Sequence, residues 1–219
     1  AGRRDSFDQR GAGMIAIIDY GVGNLFSLKS SLAMIGAEAV VTGDAAVIRS
    51  ADRIILPGVG AFGDAARKLR ESGMGKLVVE QAGQGKPIMG ICLGMQLLFE
   101  KSYEYGFHEG LGLIEGAIRP IADVVPPGYK IPHIGWNALQ FGPVKHPLFE
   151  KIEEGDALYF VHSYYADCKD AVIATAQYGA PLTAAVAKGN VLGCQFHPEK
   201  SGDVGLNILR AFCEREEWV

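Results

Sequence analysis

The sequence predicts an α/β fold, an open and mostly parallel doubly wound sheet that antiparallel strands extend in the C-terminal half. Short apolar segments that suit buried strands alternate with helical patterns over residues 14–101. After about residue 105, strand-like segments follow one another with few helices between them. The chain has 219 residues, of which 48% are hydrophobic, so it can bury one sizeable core.

Four apolar segments in the first half of the chain are typical of strands that are buried on both faces of a parallel sheet. Glycine is abundant, at 29 residues, which suits tight turns between strands and helices. This alternation favours a flavodoxin-like arrangement. The predicted strands are residues 14–19, 38–42, 53–56 and 87–91, and the predicted helices are residues 25–35, 64–81 and 93–101.

The second half of the chain predicts antiparallel hairpins that extend the sheet, and Lys188-Gly189-Asn190 is a candidate hairpin turn. No linker or internal repeat marks a boundary. We therefore predict one domain over residues 14–219, preceded by a tag or disordered leader at residues 1–13. The predicted strands are residues 111–115, 135–141, 157–163, 171–178, 182–187 and 191–196, and a helix over residues 203–217 closes the chain.

The composition argues against several classes of function. The net charge is −4 and no basic block occurs, which argues against a nucleic-acid partner. No apolar segment approaches the roughly 20 residues that span a bilayer, so we expect no membrane association. The four cysteines lack Cys-x-x-Cys spacing, which favours free thiols in a reducing cytosol and a cytoplasmic location. The histidines show no ligand spacing, so we expect no metal site.

One cysteine, Cys92, has the surroundings of a nucleophile. It lies in Gly90-Ile91-Cys92-Leu93-Gly94, between a predicted strand and a predicted helix, where small residues on either side permit a sharp turn. Such an elbow raises the thiol above the carboxyl end of the sheet and places it at a helix N-terminus, which favours the thiolate. The alternative is a structural cysteine in a glycine-rich turn.

A base for this nucleophile is predicted at His197, which follows a strand-like segment and precedes Pro198 and Glu199. In an extended segment residues i and i+2 point to the same side, so His197 and Glu199 can lie next to each other. One ring nitrogen can then contact the carboxylate while the other faces Cys92. The sequence therefore predicts the catalytic triad Cys92, His197 and Glu199.

Backbone donors for a developing oxyanion are expected at the same edge of the sheet. The candidates are the N–H groups of Leu93 and of the turn that contains Gly58 and Val59, because this turn follows a parallel strand. Gly58-x-Gly60-x-x-Gly63 also matches a dinucleotide-binding pattern, but the acidic residue expected about 20 positions later falls within a predicted helix. We therefore expect no cofactor.

The motifs at these positions resemble those of class I glutamine amidotransferases. Further motifs are similar to those of the glutaminase subunits of imidazole glycerol phosphate synthases, a family of histidine biosynthesis, and the resemblance runs from Met14 to near the C-terminus. The first group is Gly-Ile-Cys-Leu-Gly-Met-Gln (90–96), His-Pro-Glu (197–199) and Pro-Gly-Val-Gly (57–60), and the second is Asp-Tyr-Gly-Val-Gly-Asn (19–24), Pro-His-Ile-Gly-Trp-Asn (132–137), Tyr-Phe-Val-His-Ser-Tyr (159–164) and His-Pro-Glu-Lys-Ser (197–201).

This resemblance implies that Cys92 attacks L-glutamine, forms a glutamyl thioester and releases ammonia. It implies a heterodimer in which ammonia passes to a separate (β/α)8-barrel synthase (cyclase) subunit. Positions that match glutamine-binding residues of the family are Gly60, Gln96, Ser163 and Tyr164. Positions that match its partner interface and gate are Asn24, Trp136, Asn137, Tyr159 and Lys200.

Several other interpretations stay open at the level of the sequence. A related glutaminase subunit could serve another synthase, such as the one that makes pyridoxal phosphate. A cysteine hydrolase of the same fold could act on peptides or γ-glutamyl conjugates, and a binding module could keep the fold without catalysis. Taken alone, Trp136 also fits a core aromatic, His162 a core histidine and Lys200 a solvated lysine.

Overall fold

The computed structural model describes residues 13–218, so the predicted leader at residues 1–13 lies outside the described residues apart from Gly13. Within these residues, no helix is both long and apolar enough to cross a bilayer. In chain order the strands are β1 (Ile15–Ile18), β2 (Ala39–Thr42), β3 (Arg53–Leu56), β4 (Ile88–Ile91), β5 (Phe99–Ser102), β6 (His108–Glu109), β7 (Ile114–Pro120), β8 (His133–Ala138), β9 (Gln140–Phe141), β10 (Ala157–His162), β11 (Tyr164–Asp167), β12 (Val172–Gln177), β13 (Pro181–Lys188) and β14 (Val191–Cys194). The α-helices are α1 (Leu25–Met34), α2 (Ala45–Ser50), α3 (Phe62–Glu71), α4 (Met74–Gly83), α5 (Leu93–Leu97) and α6 (Gly202–Glu214).

An eight-stranded sheet forms the centre of the fold, in the order β2-β1-β3-β4-β14-β13-β12-β9. The first five strands are parallel to one another, and the last three continue the sheet in antiparallel fashion. This confirms the predicted mostly parallel, doubly wound sheet with antiparallel strands in its C-terminal half. The β4 and β14 strands are direct neighbours, so the carboxyl ends of both emerge at the same place.

Alternate residues of the central strands pack into opposite layers, as the period of a strand requires. On β1, Ile15 and Ile17 join a core with residues of α1 and α6, while Ala16 and Ile18 join a second core with residues of α2, α3 and α4. Because both faces are covered by helices, the parallel strands are almost entirely apolar, with Thr42 at the end of β2 and Arg53 at the start of β3 as the exceptions.

Two smaller sheets complete the fold and shape the edge where most of the predicted site residues lie. One has the order β11-β7-β5-β6, and the other pairs β10 with β8 in antiparallel register. In that pair Tyr159 lies opposite Trp136, and His162 lies opposite His133.

The structure differs from the sequence prediction in four helical segments. The closing helix, predicted over residues 203–217, ends at Glu214, because Arg215 is extended. The predicted helix over residues 64–81 is two helices, α3 and α4, because Gly73 adopts a left-handed conformation with φ of 76°. The predicted helix over residues 93–101 ends at Leu97, since the following residues pair with β6 and β7 as strand β5. Helix α2 was missed, although Asp44 accepts hydrogen bonds from the N–H groups of Ala46 and Val47 as a helix N-cap.

Candidate active site

Cys92 lies on a sharp turn between β4 and α5, as predicted. Its backbone has φ of 54° and ψ of −114°, a conformation that residues other than glycine rarely adopt. The turn is held from both sides, because the Cys92 N–H donates to the Cys194 carbonyl at 2.8 Å and the Gln96 N–H donates to the Cys92 carbonyl at 3.2 Å. The strained backbone presents the Cys92 side chain at the carboxyl edge of the sheet.

The glycines beside Cys92 are required by close packing. A Cβ atom on Gly90 would lie 2.6 Å from the Gly94 carbonyl oxygen, and one on Gly94 would overlap the Leu56 carbonyl oxygen. Both contacts are far closer than van der Waals contact, so a larger residue at either position would displace the backbone of the elbow. The small residues that predicted the turn therefore have a direct structural reason.

His197 and Glu199 form a buried pair next to this elbow. His197 Nδ1 lies 2.8 Å from Glu199 Oε1, and both side chains are 3% exposed. The other carboxylate oxygen, Oε2, has no hydrogen-bond partner among residues 13–218, so the contact with His197 fixes this side chain. The pair forms differently from the prediction of an extended segment: His197 is extended, but Pro198–Lys200 is a turn of 3-10 helix that brings the carboxylate back to the ring.

One influence lowers the pKa of His197 and two raise it. Burial alone would lower it, but hydrogen bonds with Cys92 and Glu199, together with the negative charges of these groups, raise it to about 9. His197 therefore carries a proton at neutral pH while its ring lies between the thiol and the carboxylate. A histidine in this state can donate a proton to a leaving group.

The segment that carries His197 is anchored to β10 through Ser201. The Ser201 hydroxyl donates to the His197 carbonyl at 2.6 Å and accepts from the Tyr159 N–H at 2.9 Å. The His197 N–H donates to the Tyr159 carbonyl at 2.9 Å. The backbone of Tyr159 is thus bonded on both sides to the segment that positions the histidine.

A cavity of about 350 Å³ opens above the elbow. Most of the predicted site residues line it, while Gly58 lies beneath, where a Cβ would come within 2.9 Å of the Gly94 nitrogen, and Glu199 lies behind His197. The predicted residues in the lining are Val59, Gly60, Cys92, Leu93, Gln96, Ser163, Tyr164, His197 and Lys200, and the lining residues that the sequence did not indicate are Glu104, Tyr105, Pro132, Val161 and His162.

The sequence model of the class-I glutamine amidotransferases matches residues 16–215. The chain belongs to this family. Imidazole glycerol phosphate synthase subunit HisH of Wolinella succinogenes is 50% identical over 204 residues, which cover 92% of this chain and 99% of that protein. The subunit of the same name from Sulfurimonas denitrificans is 51% identical over 202 residues, which cover 91% and 97% of the two chains. The resemblance that the motifs predicted is thereby confirmed.

The fold of the amidotransferase also recurs in solved structures of low sequence identity. PurLQS from Thermotoga maritima matches with a TM-score of 0.71 at 22% identity, over 92% of this chain and 97% of that one. At this identity the likeness shows a common fold. It agrees with the arrangement of the central sheet described above.

The predicted partner-facing residues of the amidotransferase include Trp136 and Asn137 on β8 and Tyr159 on β10, the antiparallel strand that pairs with β8. Trp136 is 59% exposed, so it is not a core aromatic, and its ring contacts that of Tyr159 edge to face at 6.2 Å between centroids. Ile134, on the same face of β8, is also exposed. Asn137 points to the other face of the strand, and Asn24 occupies the N-cap position of α1 without a side-chain capping bond.

Asn137 belongs to a buried chain of hydrogen bonds that reaches the cavity. The Tyr164 carbonyl can only accept, so His162 Nδ1 donates to it at 2.8 Å and the neutral ring accepts at Nε2. His133 Nδ1 donates to that nitrogen at 2.9 Å, and Asn137 Nδ2 donates to His133 Nε2 at 3.2 Å. Both ring nitrogens of His162 are therefore hydrogen-bonded, which agrees with the expectation of a core histidine. The residue also forms part of the cavity wall.

The amidotransferase should lose stability as the pH falls below about 6.5. Burial lowers the pKa of His162 to about 3, whereas the unfolded side chain binds a proton near pH 6.5. Between these values the unfolded chain holds one more proton, so this group lowers the free energy of unfolding by up to about 1.4 kcal/mol per pH unit as the pH falls. Urea denaturation at several pH values should show a shallower dependence for His162→Gln.

His108→Gln provides the control for this measurement, because His108 is half-buried and lies outside the chain of hydrogen bonds. It should retain the pH dependence of the unchanged protein. The same slope for His162→Gln and the unchanged protein would contradict the assignment of this acid sensitivity to His162.

Proposed function

We propose that this amidotransferase is the glutaminase subunit of an imidazole glycerol phosphate synthase in histidine biosynthesis and that it hydrolyses L-glutamine through Cys92, His197 and Glu199. The observation that carries the chemistry is a single cavity in which an elbow cysteine meets a histidine paired with a buried carboxylate. Relatives that bear the name of this subunit at 50% and 51% identity support the choice of synthase over the one that makes pyridoxal phosphate.

The reaction follows from the positions of these three groups. The Cys92 thiolate attacks the side-chain amide carbon of glutamine, and His197 gives its proton to the departing nitrogen, which leaves as ammonia. The product is a glutamyl thioester on Cys92. His197, now neutral, takes a proton from water, whose oxygen attacks the thioester and releases glutamate and the thiolate. Glu199 keeps the ring oriented and stabilises its charged form during both steps.

The polar walls of the cavity suit a free amino acid. Gln96 uses its amide nitrogen for hydrogen bonds within the protein, to the Tyr164 carbonyl and to Gln195, so its oxygen is the group that can accept from the substrate. Glu104 faces the cavity and burial raises its pKa, so an ammonium group bound next to it would favour the ionised carboxylate. We infer that Glu104 binds the α-ammonium group, which argues against peptide substrates.

The oxyanion of the tetrahedral intermediate needs two donors close to Cys92. The Leu93 N–H opens α5 directly after the nucleophile, and Val59 lines the cavity across from it. Gly60, which follows Val59, has φ of 92°, which gives this turn a conformation that glycine adopts without strain. We propose that Leu93 and the turn at Gly58-Val59 together bind the oxyanion.

The partner is proposed to be a (β/α)8-barrel synthase subunit that docks on the exposed side of the paired strands β8 and β10 in a heterodimer. Trp136 and Tyr159 offer aromatic contacts there, and Lys200 follows the catalytic segment at the mouth of the cavity. Because the Tyr159 backbone is bonded to both His197 and Ser201, a displacement of β10 would be transmitted to the base. Tyr159 and Lys200 are therefore the residues that we propose relay binding of the synthase.

The proposal is tested by reconstitution with a barrel synthase and its nucleotide substrate. Glutamate and imidazole glycerol phosphate should form in equal amounts from glutamine, and iodoacetamide should block both by alkylating Cys92. Burial raises the pKa of Cys168 to about 11 and that of Cys213 to about 12, and it raises the pKa of Cys194 well above its usual value, so these thiols should react far more slowly. Glutamine hydrolysis that supports only another synthase would overturn the choice of pathway.

Glu199→Gln should slow glutamine turnover by about 10–100-fold, because a misoriented His197 loses part of the roughly 10²–10⁴-fold that general acid–base catalysis supplies. The KM for glutamine should stay within about threefold, since Glu199 lies behind His197 and does not line the cavity. Steady-state glutaminase assays on the complex provide both constants.

Glu214→Gln is the matched control for this substitution, because Glu214 is an exposed residue on α6 that pairs with Lys151. It should behave as the unchanged protein. Turnover of Glu199→Gln within threefold of the unchanged protein would remove Glu199 from the triad.

A further inference from the structure

A second buried amide, Gln195, contacts the nucleophile. Gln195 is fully buried between the end of β14 and the catalytic histidine, and its backbone N–H donates to the Ala184 carbonyl at 2.8 Å. Its side-chain nitrogen Nε2 lies 3.6 Å from the Cys92 sulfur, and its oxygen Oε1 lies 2.9 Å from Gln96 Nε2. The buried Gln195 side chain therefore contacts two residues of the site, Cys92 and Gln96.

The orientation of the Gln195 amide is fixed by its neighbours. The Tyr164 carbonyl can only accept a hydrogen bond, so Gln96 must present its amide nitrogen there, at 3.2 Å. The same Gln96 nitrogen then donates to Gln195, which must present its oxygen. Gln195 consequently has its amide nitrogen on the side of Cys92, 3.6 Å from the sulfur, where it can only donate.

Besides its hydrogen bond with His197, the Cys92 sulfur has two contacts that favour different protonation states. The Val161 carbonyl, at 4.0 Å, can only accept and so suits the thiol, whereas the Gln195 amide donates and so suits the thiolate. An N–H donor next to a thiolate makes a charge-assisted hydrogen bond, which is stronger than a bond to a neutral group. Gln195 is therefore the amide side chain that both holds the sulfur in place and favours its reactive form.

We propose that Gln195 is a positioning residue for catalysis, which holds the Cys92 thiolate and whose orientation is set by Gln96. The inference rests on the proposed function of Cys92 as the nucleophile. It gives Gln96 two tasks: its oxygen faces the substrate while its nitrogen keeps the Gln195 donor aimed at the sulfur. The side-chain amides of Gln96 and Gln195 therefore connect the substrate site to the nucleophile.

Two variants test the effect of the Gln195 N–H donor separately from the effect of the side-chain volume. Gln195→Met keeps a similar shape without an N–H group, and Gln195→Glu keeps the acceptor for Gln96 but turns an oxygen toward the sulfur. In each, the rate of Cys92 alkylation by iodoacetamide at neutral pH should fall at least about tenfold, and the pH midpoint of alkylation should rise by about one unit or more. The shift should be larger for Gln195→Glu, because a carboxylate repels a thiolate.

Turnover provides the second readout, measured on the full chain in complex with its synthase. The kcat for glutamine should fall about tenfold while KM changes less, because Gln195 does not line the cavity. Thr183→Val is the control, since Thr183 is a buried residue of β13 whose hydroxyl donates to the Ala166 carbonyl at 2.7 Å, away from Cys92. It should leave the pH profile of alkylation unchanged.

Each outcome decides the inference. Upward shifts of the alkylation profile in both variants, with the control unchanged, would support it. Alkylation rates within twofold of those of the unchanged protein at each pH would overturn the inference. A fall in kcat in such a variant would then reflect a structural effect of the substitution. If the unchanged protein hydrolyses glutamine and both variants match it, only the role of Gln195 fails; if Cys92 is not the residue alkylated in the unchanged protein, the proposed nucleophile itself fails.

Discussion

Cys92→Ala should abolish glutamine-dependent synthesis by the complex and leave ammonia-dependent synthesis intact. Removing the nucleophile of a concerted catalytic unit costs at least about 10⁴-fold in turnover, because the base and the oxyanion donors have no covalent step to assist. External ammonia should still be used, since the synthase reaction is proposed to occur on the other chain. Product formation measured with glutamine and then with an ammonium salt gives the comparison.

Cys168→Ala is the control for this experiment, because Cys168 is a half-buried thiol outside the cavity that Cys92 lines. It should support both reactions at the rates of the unchanged protein. Glutamine-dependent synthesis by Cys92→Ala would exclude the elbow cysteine as the nucleophile. Loss of the ammonia-dependent reaction as well would show that the substitution disturbs docking.

The elbow could be predicted from the sequence because its determinants are local. A buried strand, a cysteine between small residues and a following helix occupy consecutive positions, and the packing of Gly90 and Gly94 explains why those positions must be small. The prediction of the His197–Glu199 pair rests on a backbone conformation that the structure shows only in part. The expected extended backbone is replaced after His197 by a 3-10 turn, yet the pair still forms, because Pro198 begins that turn and the carboxylate reaches the ring.

Residues brought to the cavity by distant elements could not be predicted in this way. Glu104 follows β5, which the sequence pattern assigns to a helix, and its position depends on the pairing of β5 with β7. The approach of His162 to the cavity depends on the pairing of β8 with β10. Gln195 did leave a signal, since it is a lone amide in an otherwise apolar segment that ends at His197.

The isolated chain should hydrolyse glutamine slowly and accelerate at least a hundredfold when the liganded synthase binds. Hydrolysis without an acceptor wastes glutamine, and an oxyanion site that lacks one donor loses about 10²–10³-fold in rate. The turn at Gly58-Val59-Gly60 can supply or withdraw such a donor, because glycine tolerates both signs of φ. Binding of the synthase would then favour the competent turn through contacts that differ between the two conformations.

Gly60→Ala tests this turn more cleanly than Gly58→Ala. A Cβ on Gly60 would meet no atom within 4 Å, so alanine acts there through the backbone alone, since φ of 92° is strained for any residue with a side chain. A Cβ on Gly58 would lie 2.9 Å from the Gly94 nitrogen and 3.1 Å from the Leu93 Cβ, so it would push on the elbow itself. Gly60→Ala should therefore lose at least about tenfold of the stimulated rate, with binding of the synthase unchanged.

Gly85→Ala matches this substitution at the opposite end of the sheet. Gly85 has φ of 86° and equally open space around its Cα, but it lies before β4, whereas Cys92 follows that strand. It should keep full stimulation. Glutaminase turnover is measured for each chain alone, with synthase, and with synthase plus its nucleotide ligand. Equal rates in all three states for the unchanged protein would exclude activation through the turn, and the Cys92 chemistry would stand without it.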